Sequence, residues 1–354
     1  MASIPWSVAE DSLDVNFSVP QLLRLRCTRN CFTDDWDQVL PLLKTDSAKA
    51  RVQVWIDQGV VDSNPSVLTD LSRRLAESDN LIDLVAPIAL VDGGEQIKND
   101  PDSIESIFRA IDRDGLDRRS YVLVIGGGAV LDAVGYAAAI AHRGIRLIRF
   151  PTTTLGQADS GVGVKNAINA YGKKNWKGTF SVPWAVVNDQ SLIANLPDRD
   201  FRAGFSEAVK VSLLKSPSAF RFLCDHATAI ANRDWNAVMP AIRSSVLMHL
   251  YHITHGGDPF VCSVQAHRHG EPLQRAAIRR RFLSACKVLG LARLRTLTIH
   301  HGRHTFISHA LAGERTLAEV RTAAGHTNIA VTSIYLHIAV DDDDGVGDLF
   351  GAKR

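Results

Sequence analysis

The chain has 354 residues, of which 45% are hydrophobic and 22% are charged, a globular composition long enough for two domains. The formal net charge of +2 excludes an acidic disordered chain and a uniformly basic nucleic-acid binder. The charge is uneven, however. Residues 261–340 hold 11 Lys and Arg against 3 Asp and Glu, residues 1–260 hold 27 against 30, and residues 341–354 hold 2 against 5. This shift predicts two segments with different partners.

Cysteine usage and hydropathy indicate the compartment. The five cysteines form no C-x-x-C pair, so the sequence predicts neither a disulfide framework nor a thiolate zinc site and favours a reducing environment. The first residues lack a basic region followed by an apolar core, so no signal peptide is expected. Residues 121–141 imitate a membrane span, but Asp132 and four glycines favour a strand, a turn and a helix. We expect a cytoplasmic protein with no membrane partner.

The predicted elements alternate between strands and helices over the first 150 residues. Residues 121–125 form a continuous apolar run, which is typical of a strand covered on both faces. The other predicted elements are strands over 51–56, 81–91 and 145–150, and helices over 66–77, 104–112 and 129–141. This order predicts an α/β fold with a parallel sheet.

Helical spacing replaces this alternation after about Pro197, with helices expected over 201–214, 217–232 and 238–252. Four regions are therefore predicted. They are a dinucleotide-binding α/β domain over 1–196, a truncated all-α domain over 197–260, a mainly helical segment over 261–340 and an acidic tail over 341–354.

The first candidate site is the run Gly126-Gly127-Gly128, which lies between a predicted strand and a predicted helix. Glycines there let backbone amides approach a phosphate at the helix N-terminus. A tight turn without a ligand explains the run about as well. Asp132, one turn into the helix, is interpreted as a buried cap or as an acceptor for a cofactor hydroxyl.

Polar residues after the next strand extend this candidate site. Pro151-Thr152-Thr153 follows a strand end, where open parallel sheets bind their ligands. Glu207 and Lys210 share a helix face, and a surface salt bridge is the alternative explanation for them. Four lysines fall in a segment that we expect to be a strand-poor loop, and they indicate either a phosphate site or a solvated face: Lys165, Lys173, Lys174 and Lys177.

These motifs, taken in order over about residues 50–260, resemble the 3-dehydroquinate synthase superfamily. The motifs are Gly93-Gly94-Glu95-x-x-Lys98, Gly126-Gly127-Gly128-x-x-x-Asp132, Ala141-His142-Arg143-Gly144, Pro151-Thr152-Thr153, Gln157-x-Asp159, Gly163-x-Lys165-Asn166, Gly172-Lys173-Lys174-Asn175 and Glu207-x-x-Lys210. The runs around Lys165 and Arg143 are more similar to the sedoheptulose 7-phosphate cyclases, such as 2-epi-5-epi-valiolone synthase.

The resemblance implies an NAD-dependent sugar-phosphate cyclase. Bound NAD oxidises a substrate alcohol transiently, phosphate is eliminated, the hydride returns and the ring closes by an aldol addition. The positions that match cofactor-binding residues of the family are Asp57, Glu95, Lys98, Gly127, Gly128, Asp132, Thr152, Thr153, Lys174 and Asn175. The positions that match substrate-binding and catalytic residues are Asp159, Lys165, Lys210 and Arg143, the last acting in the family from a neighbouring subunit of a homodimer.

The resemblance also implies a zinc or cobalt site, for which Glu207 matches one of three ligands. The family's two ligand histidines belong to a Phe-Gly-His run and a later His-Gly-Glu run. No Phe-Gly-His follows Phe260, and His269-Gly270-Glu271 comes too early to match. We therefore expect the metal site to be incomplete, unless another histidine such as His252, His255 or His269 completes it.

The basic segment has a signature of its own, with Arg279-Arg280-Arg281 on a predicted helix and His300-x-x-Arg303 followed by His326 and Tyr335. It resembles the C-terminal half of a tyrosine recombinase (phage integrase) catalytic domain. That resemblance implies duplex DNA as a partner, Tyr335 as the nucleophile, and His300, Arg303 and His326 around the scissile phosphate. The family's earlier catalytic arginine has no counterpart here, because the residues before Val261 resemble the cyclase.

Three hypotheses follow from these two partial resemblances. The chain is a sugar-phosphate cyclase impaired at its metal site, a DNA recombination or DNA-binding protein, or a fusion of two truncated genes with neither activity. The zinc ligands test the first hypothesis, and the missing catalytic arginine tests the second.

Overall fold

The computed structural model describes residues 19–43 and 49–255, together with Val320. The chain divides into two compact units. One comprises Met1–Ala208 and Thr228–Thr254, and the other comprises Val209–Ala227 and His255–Arg354. No helix of the described ranges is long and apolar enough to cross a lipid bilayer.

A parallel sheet is the centre of the first unit. Among the described residues it has seven strands in the order β1-β9-β6-β5-β2-β3, with β4 also paired to β2. These strands are β1 (Arg24–Thr28), β2 (Ala50–Asp57), β3 (Ile82–Leu84), β4 (Ala89–Val91), β5 (Tyr121–Gly126), β6 (Arg146–Pro151) and β9 (Ala185–Asp189). After β2 the chain adds β3 and β4 on one side of that strand and then β5 on the other side. The order in which strands are added therefore reverses between β2 and β5. Ligands of open α/β sheets bind at the carboxyl ends of strands at such a point.

Helices connect these strands and follow the last of them along the chain. They are α1 (Trp36–Val39), α2 (Gln58–Ser63), α3 (Ser66–Glu77), α4 (Gln96–Asn99), α5 (Pro101–Arg113), α6 (Gly128–Ile140), α7 (Ser191–Ala194), α8 (Asp198–Ala203), α9 (Phe205–Lys215), α10 (Pro217–Asp225), α11 (Ala227–Ala231) and α12 (Trp235–His255). β5 is fully buried and serves two hydrophobic clusters: Leu123 and Ile125 pack in one, whereas Val122 and Val124 pack in the other with α5 and α6. The prediction of a strand covered on both faces is confirmed.

The predicted elements agree closely with the structure in the α/β layer. The helix predicted over 66–77 has those bounds, and the strands predicted at 51, 121 and 145 begin within one residue. The single strand predicted over 81–91 is two short strands, because Pro87 lies between them and cannot donate a ladder hydrogen bond. The helix predicted over 201–214 divides near Gly204, whose Cα packs on Thr154 without room for a Cβ.

One expectation is wrong. The lysine-rich segment, expected to be a strand-poor loop, is an antiparallel hairpin of β7 (Lys165–Ala170) and β8 (Lys173–Phe180). Tyr171 and Gly172 join the strands with φ angles of 53° and 69°. Two successive residues at positive φ form the kind of turn whose twist matches an antiparallel pair. The sequence signal for this turn is the Tyr171-Gly172 pair, and the sequence interpretation of the segment rested on its lysines instead.

Candidate functional site

Asp57 ends β2 at the point where the strand order reverses. Its Oδ1 accepts a hydrogen bond from the backbone N–H of Gly59 at 3.0 Å, and the carboxyl also accepts one from the backbone of Gly127. Gly93 packs so closely on this carboxyl that a Cβ there would overlap it. Burial raises the pKa of Asp57, because the ionised carboxyl loses hydration when the chain folds.

The three-glycine turn follows β5 directly beside Asp57. Gly126 accepts a hydrogen bond from the backbone N–H of Thr152 at 3.0 Å, and α6 begins at Gly128 with no side chain capping it. The first N–H groups of a helix lack intrahelical partners, and the helix dipole favours an anion there. Thr153 stiffens the next turn, since its Oγ1 accepts from the N–H of Gly156 at 2.9 Å.

Lys98 connects three segments that are distant in sequence. Its side chain is 5% exposed, and its Nζ donates to Oδ2 of Asp132 at 2.7 Å and to Oδ1 of Asn175 at 2.5 Å. Burial raises the pKa of Asp132, while its hydrogen bond to Lys98 acts in the opposite direction. Asp132 is therefore an ion-pair partner and not a helix cap, which corrects one of its two sequence interpretations.

Glu95 and the hairpin complete a group of residues predicted to bind a cofactor, which we call the cofactor cluster: Glu95, Lys98, Asp132, Lys174 and Asn175. Oε1 of Glu95 accepts a hydrogen bond from Nδ2 of Asn169 at 2.9 Å and lies 3.7 Å from Nζ of Lys174. Asn169 also accepts from the backbone N–H of Asn175 at 2.7 Å, which holds that residue at a φ of 53°. The structure thus brings together five predicted cofactor residues and adds Asn169, which the sequence reasoning missed.

A cavity of about 510 Å³ opens beside this cofactor cluster, and its lining includes Lys98, Lys174 and Lys177. Lys173 extends over the ring of Trp176, with its Nζ 4.6 Å from the ring centroid. Lys173 lines the same cavity, so the hairpin brings three lysines to it: Lys173, Lys174 and Lys177.

The predicted substrate residues lie around a turn that follows β6. Asp159 belongs to a short π-helical turn over Gly156–Ser160, and its Oδ1 lies 3.0 Å from Nδ1 of His249 on α12. Lys165 is exposed at the start of β7. A methyl group on Gly163 would come 3.5 Å from Nε2 of His249. His249 is a second residue that sequence reasoning missed, since one histidine in a helical pattern gives no distinct signal.

Three further predicted residues belong to other elements. Arg143 is exposed between α6 and β6, at the amino edge of the sheet, where it lines a cavity of about 550 Å³. Glu207 is half-buried in the first turn of α9, and Lys210 is exposed and belongs to the second unit. In the part of the chain that the structure describes, no three His, Cys, Asp or Glu side chains are grouped to hold a metal ion.

Several predicted residues lie outside the described ranges. These are His269, Arg279, Arg280, Arg281, His300, Arg303, His326 and Tyr335, with the whole of the basic segment and acidic tail apart from Val320.

Comparison with known proteins identifies the same two resemblances. Residues 88–203 match the family model for the 3-dehydroquinate synthase N-terminal region, and residues 242–341 match the phage integrase family. A 3-dehydroquinate synthase from Dictyoglomus thermophilum is 38% identical over 164 residues, 46% of each chain. A 2-epi-5-epi-valiolone synthase from Streptomyces glaucescens is 35% identical over 199 residues, 51% of each chain. The chain spans about half the length of these relatives.

A solved structure supports the fold. The 2-epi-5-epi-valiolone synthase from Streptomyces hygroscopicus subsp. jinggangensis 5008, with NAD+ and Zn2+ bound, matches with a TM-score of 0.61 at 21% identity, over 94% of this chain and 90% of that chain. The integrase match begins inside α12, earlier than the junction expected after Phe260. The chain therefore joins a segment that resembles the 3-dehydroquinate synthase superfamily to a segment that resembles the phage integrase family.

Proposed function

We propose that the α/β domain is the NAD-binding half of a sugar-phosphate cyclase site. The observation that carries the proposal is the cofactor cluster, in which Lys98 connects Asp132 and Asn175 beside the uncapped start of α6. Asp57 supplies a carboxylate at the sheet edge where dinucleotides bind in such folds. Helix N–H groups donate to a pyrophosphate and carboxylates accept from ribose hydroxyls, so this combination of groups suits a dinucleotide.

NAD, when bound there, would supply reversible hydride transfer at a substrate alcohol. The chain's own residues would then act in two groups. Gly128, at the start of α6, presents its backbone N–H to the pyrophosphate, and Asp57 accepts from a ribose hydroxyl. On the substrate side, Asp159 and Lys165 border the site, where Lys165 offers a cation to the phosphate of a sugar such as sedoheptulose 7-phosphate.

Turnover is proposed to be impaired at the metal. A catalytic zinc needs three protein ligands, and Glu207 is the one that matches the family. The described residues contain no group of three side chains suited to zinc. We expect no stoichiometric zinc and no phosphate release from sedoheptulose 7-phosphate. One zinc per chain that disappears in Glu207→Ala, measured by metal analysis, would contradict this and direct attention to His252, His255 or His269.

Calorimetry with NAD tests the proposal directly. The full chain, shown to be folded by circular dichroism, should bind NAD more weakly than a complete homologue because the helical part of the site is shortened. Lys98→Met should abolish the heat, and Lys49→Met, which changes an exposed lysine just before β2 at the opposite edge of the sheet, serves as the matched control. Absence of heat from folded wild-type protein at millimolar NAD would overturn the proposal.

DNA binding by the basic segment is the second candidate function, favoured by its charge of +8 and its integrase match. Phosphate contacts dominate such binding, so the affinity for duplex DNA should lack sequence preference and fall steeply with salt. Changing Arg279, Arg280 and Arg281 together to Ala should weaken it most. Cleavage is not expected, because a pocket without its first arginine stabilises the developing charge poorly. A covalent adduct on a nicked suicide substrate that disappears in Tyr335→Phe would refute this expectation.

A further inference from the structure

Arg149 occupies an unusual position for an arginine. It lies in β6 of the sheet, and its side chain is fully buried. Removing a guanidinium from water costs folding free energy, which only many well-formed hydrogen bonds repay. Burial lowers the pKa of Arg149 to about 10, so the side chain remains charged at neutral pH.

The hydrogen bonds of Arg149 converge on one turn. Its Nη1 donates to the carbonyl oxygen of Gly161 at 3.0 Å and to that of Gly163 at 2.8 Å. Its Nη2 donates to Oδ1 of Asn166 at 2.5 Å. The two glycine carbonyls belong to residues 161–164, which lie between the π-helical turn and β7. Buried carbonyls outside regular structure need donors, and Arg149 supplies them from beneath the turn.

Close packing restricts both the turn over residues 161–164 and the side chain of Asn166. A Cβ on Gly161 would overlap Pro151, which ends β6, and the carbonyl oxygen of Gly156. A Cβ on Gly135 of α6 would overlap Oδ1 of Asn166. The turn is therefore pressed against β6, and Asn166 is confined between α6 and the guanidinium.

The residues on either side of the turn are the substrate residues of the proposed site, Asp159 and Lys165. The charge of Arg149 also acts on Asp132 in the cofactor cluster, where it opposes the effect of burial on the pKa of that carboxyl. We propose that Arg149 is a positioning residue that holds residues 161–164 in one conformation and so fixes Asp159 and Lys165 relative to Asp132. This inference rests on the proposed function, because it assigns a role within the same site.

Hydrogen–deuterium exchange of the full chain tests the positioning. Met fills much of the volume of Arg149 without donating hydrogen bonds, so Arg149→Met should speed exchange of the amides of residues 160–166 at least tenfold. Arg149→Lys retains a cation and donors and should restore part of the protection. The matched control is Arg146→Met, which removes another arginine from the same strand and should leave these amides unchanged. Equal protection in wild type and Arg149→Met would overturn the inference.

Calorimetry separates this inference from the proposed function. In Arg149→Met, the affinity for sedoheptulose 7-phosphate should fall about tenfold while the affinity for NAD changes less than threefold. A failure of wild type to bind NAD would remove the proposed function but leave the exchange result as evidence for the turn. If Arg149→Met does not fold, Asn166→Ala removes one acceptor of the guanidinium with less disturbance and should loosen the same amides. Faster exchange across the whole chain in both Arg149→Lys and Asn166→Ala would show a role in folding alone and overturn the inference.

Discussion

Charged side chains have different surroundings at the two edges of the parallel sheet. At the carboxyl edge, Asp57 is 9% exposed and Lys98 is 5% exposed, and burial raises the pKa of Asp57. Lys98 forms a largely buried ion pair with Asp132. These charges are held by a few specific hydrogen bonds, and water contributes little to their solvation.

At the amino edge, two arginines, Arg24 and Arg146, lie over aromatic rings and are half-buried. The guanidinium of Arg24 is 3.7 Å from the ring centroid of Trp184, and that of Arg146 is 4.4 Å from the same ring and 5.1 Å from the ring of Tyr121. A stacked guanidinium keeps much of its hydration, so this arrangement stabilises the fold at little cost.

The difference indicates which edge the fold maintains for binding. Burying charges costs free energy that apolar residues of similar volume would not, so the buried Asp57 carboxyl and the Lys98–Asp132 pair favour a functional site at the carboxyl edge. Stacked arginines at the other edge require no such explanation. Four substitutions test this contrast, and they are ordered here by the size of the expected effect.

Lys98→Met should give the largest effect. It leaves Asp132 largely buried without its cationic partner, and breaking a buried pair from one side costs about 3 kcal/mol or more. Chemical denaturation should show this loss, and calorimetry should show no NAD binding. The double variant Lys98→Met with Asp132→Leu should recover most of the stability but none of the NAD binding. Wild-type stability in Lys98→Met would mean that the carboxyl edge tolerates charge loss like the amino edge.

Much of this edge could be predicted from the sequence, because its signals are local. The apolar run of β5, the three glycines and the spacing from Gly126 to Asp132 all lie within a dozen residues, and the predicted strand, turn and helix are present. The partnership of Lys98 with Asn175 could not be derived from periodicity, because it depends on how the β7–β8 hairpin returns across α6. Arg149 is visible in the sequence as a charged residue inside an apolar strand. The strand pattern alone does not indicate what such a residue does.

Asp57→Asn should separate stability from binding. Because burial raises the folded-state pKa of Asp57 above its unfolded value, the group stabilises the fold at low pH, and that contribution is lost as the pH rises through the folded-state pKa. At neutral pH the amide avoids this penalty, so Asp57→Asn should be as stable as wild type or more stable. NAD affinity should fall about tenfold with the loss of a charged acceptor. A variant that is less stable at pH 7 than wild type would contradict this account.

Arg146→Ala should have a moderate effect on stability and none on NAD binding. The substitution removes cation–π contacts with two rings, together worth about 1 kcal/mol at a partly exposed site. It also removes the hydrogen bond from Nη1 to the hydroxyl of Tyr121 at 2.7 Å. Thermal denaturation and calorimetry on one preparation measure both quantities. A fall in NAD affinity would show that the two edges are coupled and weaken the contrast drawn between them.

Arg143→Gly should change the isolated chain least. Arg143 is exposed, and its φ of 65° follows a φ of 51° at His142, so two successive non-glycine residues occupy the left-handed region. That conformation costs an L-residue about 1 kcal/mol, and glycine avoids the cost while losing a similar amount through its greater freedom when unfolded. The two terms nearly cancel, so denaturation should place the variant within about 0.5 kcal/mol of wild type, with NAD affinity unchanged. The family resemblance implies a different role for Arg143, contact with a sugar phosphate across a homodimer, and ligand binding tests that role separately from stability. Weaker sedoheptulose 7-phosphate binding at concentrations where the chain dimerises, with no change in the monomer, would support that role, whereas a large loss of stability would make Arg143 a structural residue of the amino edge.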